Sequence, residues 1–221
     1  MKTIKTLIAT SVVSASLFAS VNLHAADDIA VKINADIASV DVMHNGKKVT
    51  ILRNQDQKNT VNTAFSKTSR KCPPFCIQPM HLAPGVETIG EIEMLDYLKR
   101  MSEGDTSILV VDSRTPDWVK RGTIPGSVNL PWTRLNPARG ADPLSIGEIL
   151  TEHFGARDLE GLWDFSGART LVLFCNGMWC GQSPNNIKNL LKFGYPPHKI
   201  KWYRGGMQNW ENLGLTTVAS E

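Results

Sequence analysis

The 221-residue chain predicts an α/β domain, a parallel sheet flanked by helices, with a small β-hairpin ahead of it. Two observations support this. From Gly85 onward, short apolar runs alternate with amphipathic stretches of helical period. The clearest runs, Ser107-Ile-Leu-Val-Val-Asp112 and Leu171-Val-Leu-Phe174, are continuous in apolar residues, as strands covered on both faces are. Alternation of this kind over about 130 residues argues for strand–helix–strand units rather than a meander or a bundle.

Residues 1–25 precede that domain and read as a signal peptide. Lys2 and Lys5 lead an apolar and small-residue stretch from Leu7 to Val21, followed by Leu23-His24-Ala25-Ala26. The expectation is cleavage near Ala25 and a periplasmic or secreted product without membrane attachment once the leader is gone. Residues 26–55 read as a hairpin extension. Val40, Val42, Val49 and Ile51 alternate with polar residues around Asn45-Gly46, a strong hairpin turn signal. One hairpin cannot hold itself together in water, so it should pack on the main domain or on a partner.

Residues 56–85 are polar and Pro-rich and read as a linker carrying a Cys72/Cys76 loop stiffened by Pro73, Pro74 and Pro79. The domain proper is expected over residues 86–217. Glu91 to Arg100 should be a helix with Ile92, Leu95 and Leu98 on one face, and Thr115-Pro116-Asp117 opens a short helix. Ser127 to Leu130 and Ile200 to Tyr203 are short strands, and a closing helix contains Trp210. Residues 136–169 break the rhythm with Pro, Gly and Asp around a helical piece near Ile146 to Phe154, and read as an insertion over one face.

Composition narrows the function classes. At 42% apolar residues the chain can build one sizeable core. Of 24 basic residues, Lys2 and Lys5 lie in the leader, which leaves 22 against 21 acidic ones. No Lys/Arg cluster interleaved with aromatics marks a nucleic-acid surface, so no nucleic-acid partner is expected. The four cysteines, Cys72, Cys76, Cys175 and Cys180, all lie past the leader, where disulfides persist. Proximity favours Cys72 with Cys76 and Cys175 with Cys180, but three full pairings are open. No metal site is expected, since Cys72, Cys76 and His81 lack a second ligand cluster. A c-type haem would need histidine where Ile77 stands.

The stretch with the strongest chemical signal is Cys175-Asn-Gly-Met-Trp-Cys180-Gly-Gln-Ser183-Pro184. It connects a buried-type strand to a helix whose start is marked by Ser183 as cap and Pro184 at the first helical position. Backbone N–H groups in such a loop, with the positive end of the helix dipole, favour an anion, whether bound or the thiolate itself. That lowers a cysteine pKa and makes a nucleophile.

With Asp112-Ser-Arg114, Gly122-Thr-Ile-Pro-Gly-Ser127, Cys175 in a strand-to-helix loop and Arg204-Gly-Gly-Met-Gln-Asn-Trp210 in view, the chain resembles the rhodanese-like domains from about Val86 to Leu215. The resemblance implies a five-stranded central parallel sheet and the transfer of sulfane sulfur through a cysteine persulfide. It implies Cys175 as the persulfide carrier. The backbone of Asn176, Gly177, Met178, Trp179, Gly181, Gln182 and Ser183 becomes its anion cradle, and Asp112 and Arg114 become supporting residues. Gly205, Gly206 and Trp210 match the closing turn and helix, where packing is their role.

The loop departs from the common pattern in being about two residues longer, in carrying no Arg or Lys to hold a small anion, and in containing a second thiol. Phosphatase relatives place an arginine at the far end of their loop, where Gly181 stands here, which argues against phosphoryl transfer. Position 123, often histidine in the family, is Thr123.

The leading expectation is a thiosulfate or persulfide sulfurtransferase without a cofactor. Its partners are a small sulfur donor or a protein-borne persulfide and a thiol acceptor or reductant, with Cys180 as a resolving thiol or an inert one. A thiol–disulfide redox protein using Cys175 and Cys180, and a catalytically idle partner-binding module, are the alternatives.

Overall fold

The computed structural model describes residues 29–219, so the expected leader lies outside the described residues. The hairpin comes first: β1 (Ser39–His44) pairs antiparallel with β2 (Lys47–Leu52), Ser39 opposite Leu52 and His44 opposite Lys47. Asn45 and Gly46 turn the chain with positive φ (49° and 74°), the conformation an Asn-Gly turn adopts most easily. The main domain then contributes β3 (Glu87–Ile89), α1 (Glu91–Ser102), β4 (Ile108–Asp112), α2 (Pro116–Val119), β5 (Val128–Asn129) and α3 (Pro143–Glu148). It continues with a second small hairpin, β6 (Arg157–Leu159) and β7 (Leu162–Asp164), then β8 (Thr170–Phe174), α4 (Gln182–Lys192), β9 (Ile200–Tyr203) and α5 (Gly206–Asn212).

β3, β9, β8, β4 and β5 lie side by side in that order, all parallel, forming the five-stranded sheet. Alternation along its two central strands separates the core. Leu109, Val111, Leu171 and Leu173 face one side, with Ile187 and Leu190 of α4 and Ile146 of α3 packed over them. Ile108, Val110, Val172 and Phe174 face the other, under Met94, Leu95 and Leu98 of α1 and Met207 and Trp210 of α5. Both faces are buried, which is why these strands are apolar from Ile108 to Val111 and from Leu171 to Phe174. Leu98 is fully enclosed, and truncating it to alanine would cost about 2–5 kcal/mol.

β3 is the strand the sequence pattern does not reveal. Glu87-Thr-Ile89 is three residues long at a sheet edge, too short to show a period. The segment 136–169 packs on the α4 face, with Leu150 and Phe154 in the core. It also holds the β6–β7 hairpin, unforeseen because Arg157 to Asp164 alternates only weakly. The helical piece begins three residues earlier than read, at Pro143 after the Asp142 cap, and Ile149–His153 closes with π-helical pairing.

The first hairpin packs on the α1 face of the main domain. Val40, Val42 and Ile51 are buried there, Met43 N donates to Ser102 Oγ at 2.8 Å, and Asn54 N and Thr216 N bond across to Gly214 O and Leu52 O. Residues 56–85, read as a linker, run along the domain surface. Phe65 is buried against Trp118, and the stretch from Arg70 to Met80 crosses the carboxyl ends of the strands as a strap. Because the sheet is parallel, the loops after β4, β8 and β9 also emerge at that end, where α/β sheets form their crevices.

Candidate active site

Cys175 directly follows β8, and three elements hold its loop. Met207 N and Gln208 N, in the first turn of α5, donate to Cys175 O and Asn176 O, each at 2.9 Å. This close approach needs glycine at 206: φ is +55°, and a Cβ there would sit 2.3 Å from Cys175 O. Within the loop, Cys180 N donates to Gly177 O at 2.9 Å, so that N–H is spent on the turn and unavailable to a substrate. From outside, Gln78 N donates to Met178 O at 2.8 Å, and Arg204 Nη2 holds Gln78 O at 2.8 Å.

α4 starts at Gln182 with Gly181 in the cap position, so Ser183 is not the cap the pattern suggested and Pro184 is the third helical residue rather than the first. Its side chain has another partner. Ser183 Oγ donates to Cys175 Sγ at 3.1 Å while accepting the indole N–H of Trp202 at 3.2 Å. Indole nitrogen only donates, so it occupies the hydroxyl oxygen's acceptor side and aims the hydroxyl proton at the sulfur. Trp202 stands in β9, far from the loop in sequence, and nothing in the local pattern marked it.

Cys175 and Cys180 are both free thiols and both buried. Burial pushes the Cys175 thiol up. The hydrogen bonds from the Cys180 thiol and the Ser183 hydroxyl, with the N–H groups of Ser183 and Gly177, outweigh it and draw the pKa down to about 7. Burial and the neighbouring Cys175 charge push the Cys180 thiol well above the ordinary thiol range. The two thiols are thus shifted in opposite directions, Cys175 toward the thiolate and Cys180 toward the thiol. Of the expected cradle, Gly177 and Ser183 serve Cys175, whereas Asn176 and Gln182 turn N–H groups toward the Cys180 sulfur. Trp179 reaches outward, its Nε1 donating to Gln208 Oε1.

Asp112 and Arg114 lie beneath the loop, fully buried, as a bidentate ion pair with Arg114 Nη2 to Asp112 Oδ2 at 2.6 Å. Thr123 Oγ1 donates to the same carboxylate at 2.7 Å, filling a position where the family often has histidine. Arg114 Nη2 also holds Gly122 O, and Nη1 reaches Asn176 Oδ1 at 3.5 Å. The guanidinium is committed to the scaffold, and removing one partner of such a buried pair costs about 3–5 kcal/mol.

Above the loop lies a cleft of about 550 Å³. Trp179, Cys180 and Gln182 form its floor side, Pro74 and Phe75 of the strap one wall, and Trp118, Trp132 and Arg139 another. Cys180 lines this cleft, and Cys175 sits below it with 3% of its surface exposed. A larger groove, about 760 Å³ between the hairpin and α1, holds neither cysteine of the loop. Cys72 and Cys76 are joined as a disulfide in the strap, and Phe75 between them packs edge-on against Trp179 at 5.8 Å. The cations absent from the loop arrive from elsewhere: Arg70 lies 3.8 Å over the Trp179 ring and Arg139 5.2 Å over Trp132. Among the described residues no group of His, Cys, Asp and Glu is arranged to hold a metal.

An α/β domain with a prepared cysteine at the end of a central parallel strand, its loop backed by a glycine-led helix, defines a class of cysteine-loop proteins. The family profile of the rhodanese-like domain matches residues 94–213, more than half the chain, and the protein belongs to that family. Solved structures similar to it include a protein of unknown function from Rhodopseudomonas palustris, 19% identical, with 62% of this chain and 88% of that one covered and a TM-score of 0.41. A thiosulfate sulfurtransferase from Pseudomonas aeruginosa is 16% identical over 62% of this chain, with a TM-score of 0.40, and only 21% of that longer chain is spanned. A human single-domain sulfurtransferase is 18% identical over 57% of this chain and 95% of its own, with a TM-score of 0.36. No curated protein matches the chain significantly.

Proposed function

We propose that this protein is an exported sulfurtransferase that carries sulfane sulfur as a persulfide on Cys175. The observation that supports it is the Cys175 thiol itself, buried at the end of β8, receiving the Ser183 hydroxyl and drawn down to about 7. The thiolate attacks the outer sulfur of a thiosulfate or persulfide donor. The new S–S bond forms as the donor's S–S bond breaks, and sulfite or a thiolate leaves with the electron pair. A thiolate or cyanide acceptor then attacks the outer sulfur of the Cys175 persulfide, takes it as a persulfide or thiocyanate, and returns Cys175 to the thiolate. No general base is needed, because a pKa of about 7 leaves a substantial thiolate fraction at neutral pH. Asp112 and Arg114 keep the loop in place and take no part in the transfer. Export through the signal peptide at residues 1–25 places this chemistry in the periplasm or outside the cell.

A second reading has Cys175 and Cys180 cycle between dithiol and disulfide with no sulfur carried. The contact between the two thiols favours it. One experiment separates the two: incubate the exported protein with thiosulfate or a persulfide donor, block free thiols, and weigh it intact beside Cys175→Ser and Cys180→Ser. Gain of one sulfur that survives Cys180→Ser and is lost in Cys175→Ser supports transfer. Loss of two hydrogens without added sulfur supports redox cycling, and an unreactive Cys175 overturns both.

A further inference from the structure

We propose that the polar cleft between the end of β2 and the end of α5 binds a small zwitterion, a free amino acid or short peptide, with the ligand carboxylate on Arg53 and its ammonium on Glu211. No residue of the cysteine loop lines this cleft. A cavity of about 510 Å³ and a neighbour of about 270 Å³ share Arg53, Asn54, Asn59, Thr60, Glu211 and Gly214 as lining residues. The larger falls in the range of small-molecule sites, about 300–1,000 Å³. Its frame is fixed by the backbone: Arg53 bridges to Leu215, and Asn54 N donates to Gly214 O at 2.6 Å. Thr216 Oγ1 accepts from Leu52 N and donates to Leu52 O, both at 3.1 Å.

The two charges of this cleft are opposite and unmatched. Arg53 and Glu211, both half-buried, line the same cavities without pairing with each other, and among the described residues neither side chain pairs with any other charged group. Arg53 Nε donates to Leu213 O at 2.9 Å. That bond orients the guanidinium and leaves its Nη1/Nη2 edge, the fork that fits a carboxylate. Glu211 lies on α5, one turn beyond Met207. Burial pushes its carboxyl up, against the lowering effect of the Arg114 guanidinium, which is itself committed to Asp112. A half-buried carboxylate in that state gains from an arriving ammonium. Neither charge alone defines the ligand. A simple acid on Arg53 would meet repulsion from Glu211, and a simple amine on Glu211 would meet repulsion from Arg53. A molecule carrying both charges satisfies both groups, and that selects zwitterions over singly charged ions. Asn59 and Thr60, on the same walls, add an amide and a hydroxyl suited to a peptide backbone.

The test follows binding of L-alanine and L-alanyl-L-alanine to the whole exported protein by calorimetry and amide chemical shifts. Beside each stand its C-terminal amide, which lacks the carboxylate, and its N-acetyl form, which lacks the ammonium. At least one of the two zwitterions should bind, and each of its blocked forms should bind at least about tenfold more weakly, as expected for the loss of one charge-assisted contact. In Glu211→Gln the penalty for N-acetylation should vanish while that for amidation persists. Arg53→Gln should show the converse, and Arg53→Lys should restore part of the preference for a free carboxylate. Circular dichroism confirms folding of each variant, and Glu211→Gln alone decides the matter if Arg53→Gln does not fold. No binding of either zwitterion up to about 10 mM, blocked forms that bind as well as the parent, or penalties unchanged in Glu211→Gln would overturn the proposal.

Discussion

Two cysteine pairs, spaced four and five residues apart, lie within reach of the same cleft and meet opposite fates. Cys72, exposed, and Cys76, half-buried, flank Pro73 and Pro74 on the strap and close into a disulfide. Cys175 and Cys180 are buried, remain thiols and differ in acidity, because Ser183, Gly177 and Cys180 itself donate to one sulfur and burial raises the other. Spacing along the chain decides neither outcome. The groups that surround each sulfur separate the two pairs.

The largest effect should come from Cys175→Ser, which removes the attacking sulfur. Loading from any donor, read by intact mass, should drop to background, whereas Cys72→Ser/Cys76→Ser should still load. Loading that persists in Cys175→Ser would move the chemistry to another thiol. Next in size is Gly206→Ala. The added methyl cannot fit 2.3 Å from Cys175 O at positive φ, so the loop must shift or the helix unwind. The expected loss is about 3 kcal/mol. Thermal unfolding should report it as a fall of roughly 6–12 °C in Tm, and an unchanged Tm would show that α5 does not clamp the loop.

The disulfide closes a short loop, so Cys72→Ser/Cys76→Ser should cost no more than about 2 kcal/mol. The pKa of Cys175 should not move with it, since none of its donors lies on the strap. The smallest effect, and the sharpest for this contrast, belongs to Ser183→Ala. With a folded pKa of about 7, alkylation of Cys175 by iodoacetamide, followed on its own peptide, should fall about tenfold per pH unit below that value and level off above it. Losing the hydroxyl donor removes stabilisation of the thiolate alone, so the midpoint should rise by about one unit. A midpoint unmoved in Ser183→Ala would mean that the hydroxyl only packs against the sulfur.

Legibility in the sequence varied by region, for physical reasons. The central strands showed as unbroken apolar runs because both faces of the sheet are covered, and the first hairpin showed through Asn45-Gly46 because few residues tolerate that turn. β3 and the β6–β7 hairpin did not show, since three-residue strands at an edge or on the surface carry too little burial to impose a period. Cys175 was legible as the residue between an apolar run and a helix start. Ser183 was read as a helix cap, yet its hydroxyl donates to Cys175 Sγ while accepting from Trp202, which arrives from a different strand.

What the sequence determined by itself is the α/β class, the hairpin turn, the place of the cysteine loop and the family motifs around it, all consequences of local pattern. Tertiary structure alone decided which groups surround each thiol, that the Arg70 to Met80 stretch lies beside the loop, and that Arg70 and Arg139 stand over Trp179 and Trp132. Those properties depend on groups distant in sequence meeting at the carboxyl ends of parallel strands. Proton affinity and binding are set by what surrounds an atom in space, and a linear pattern does not record those neighbours.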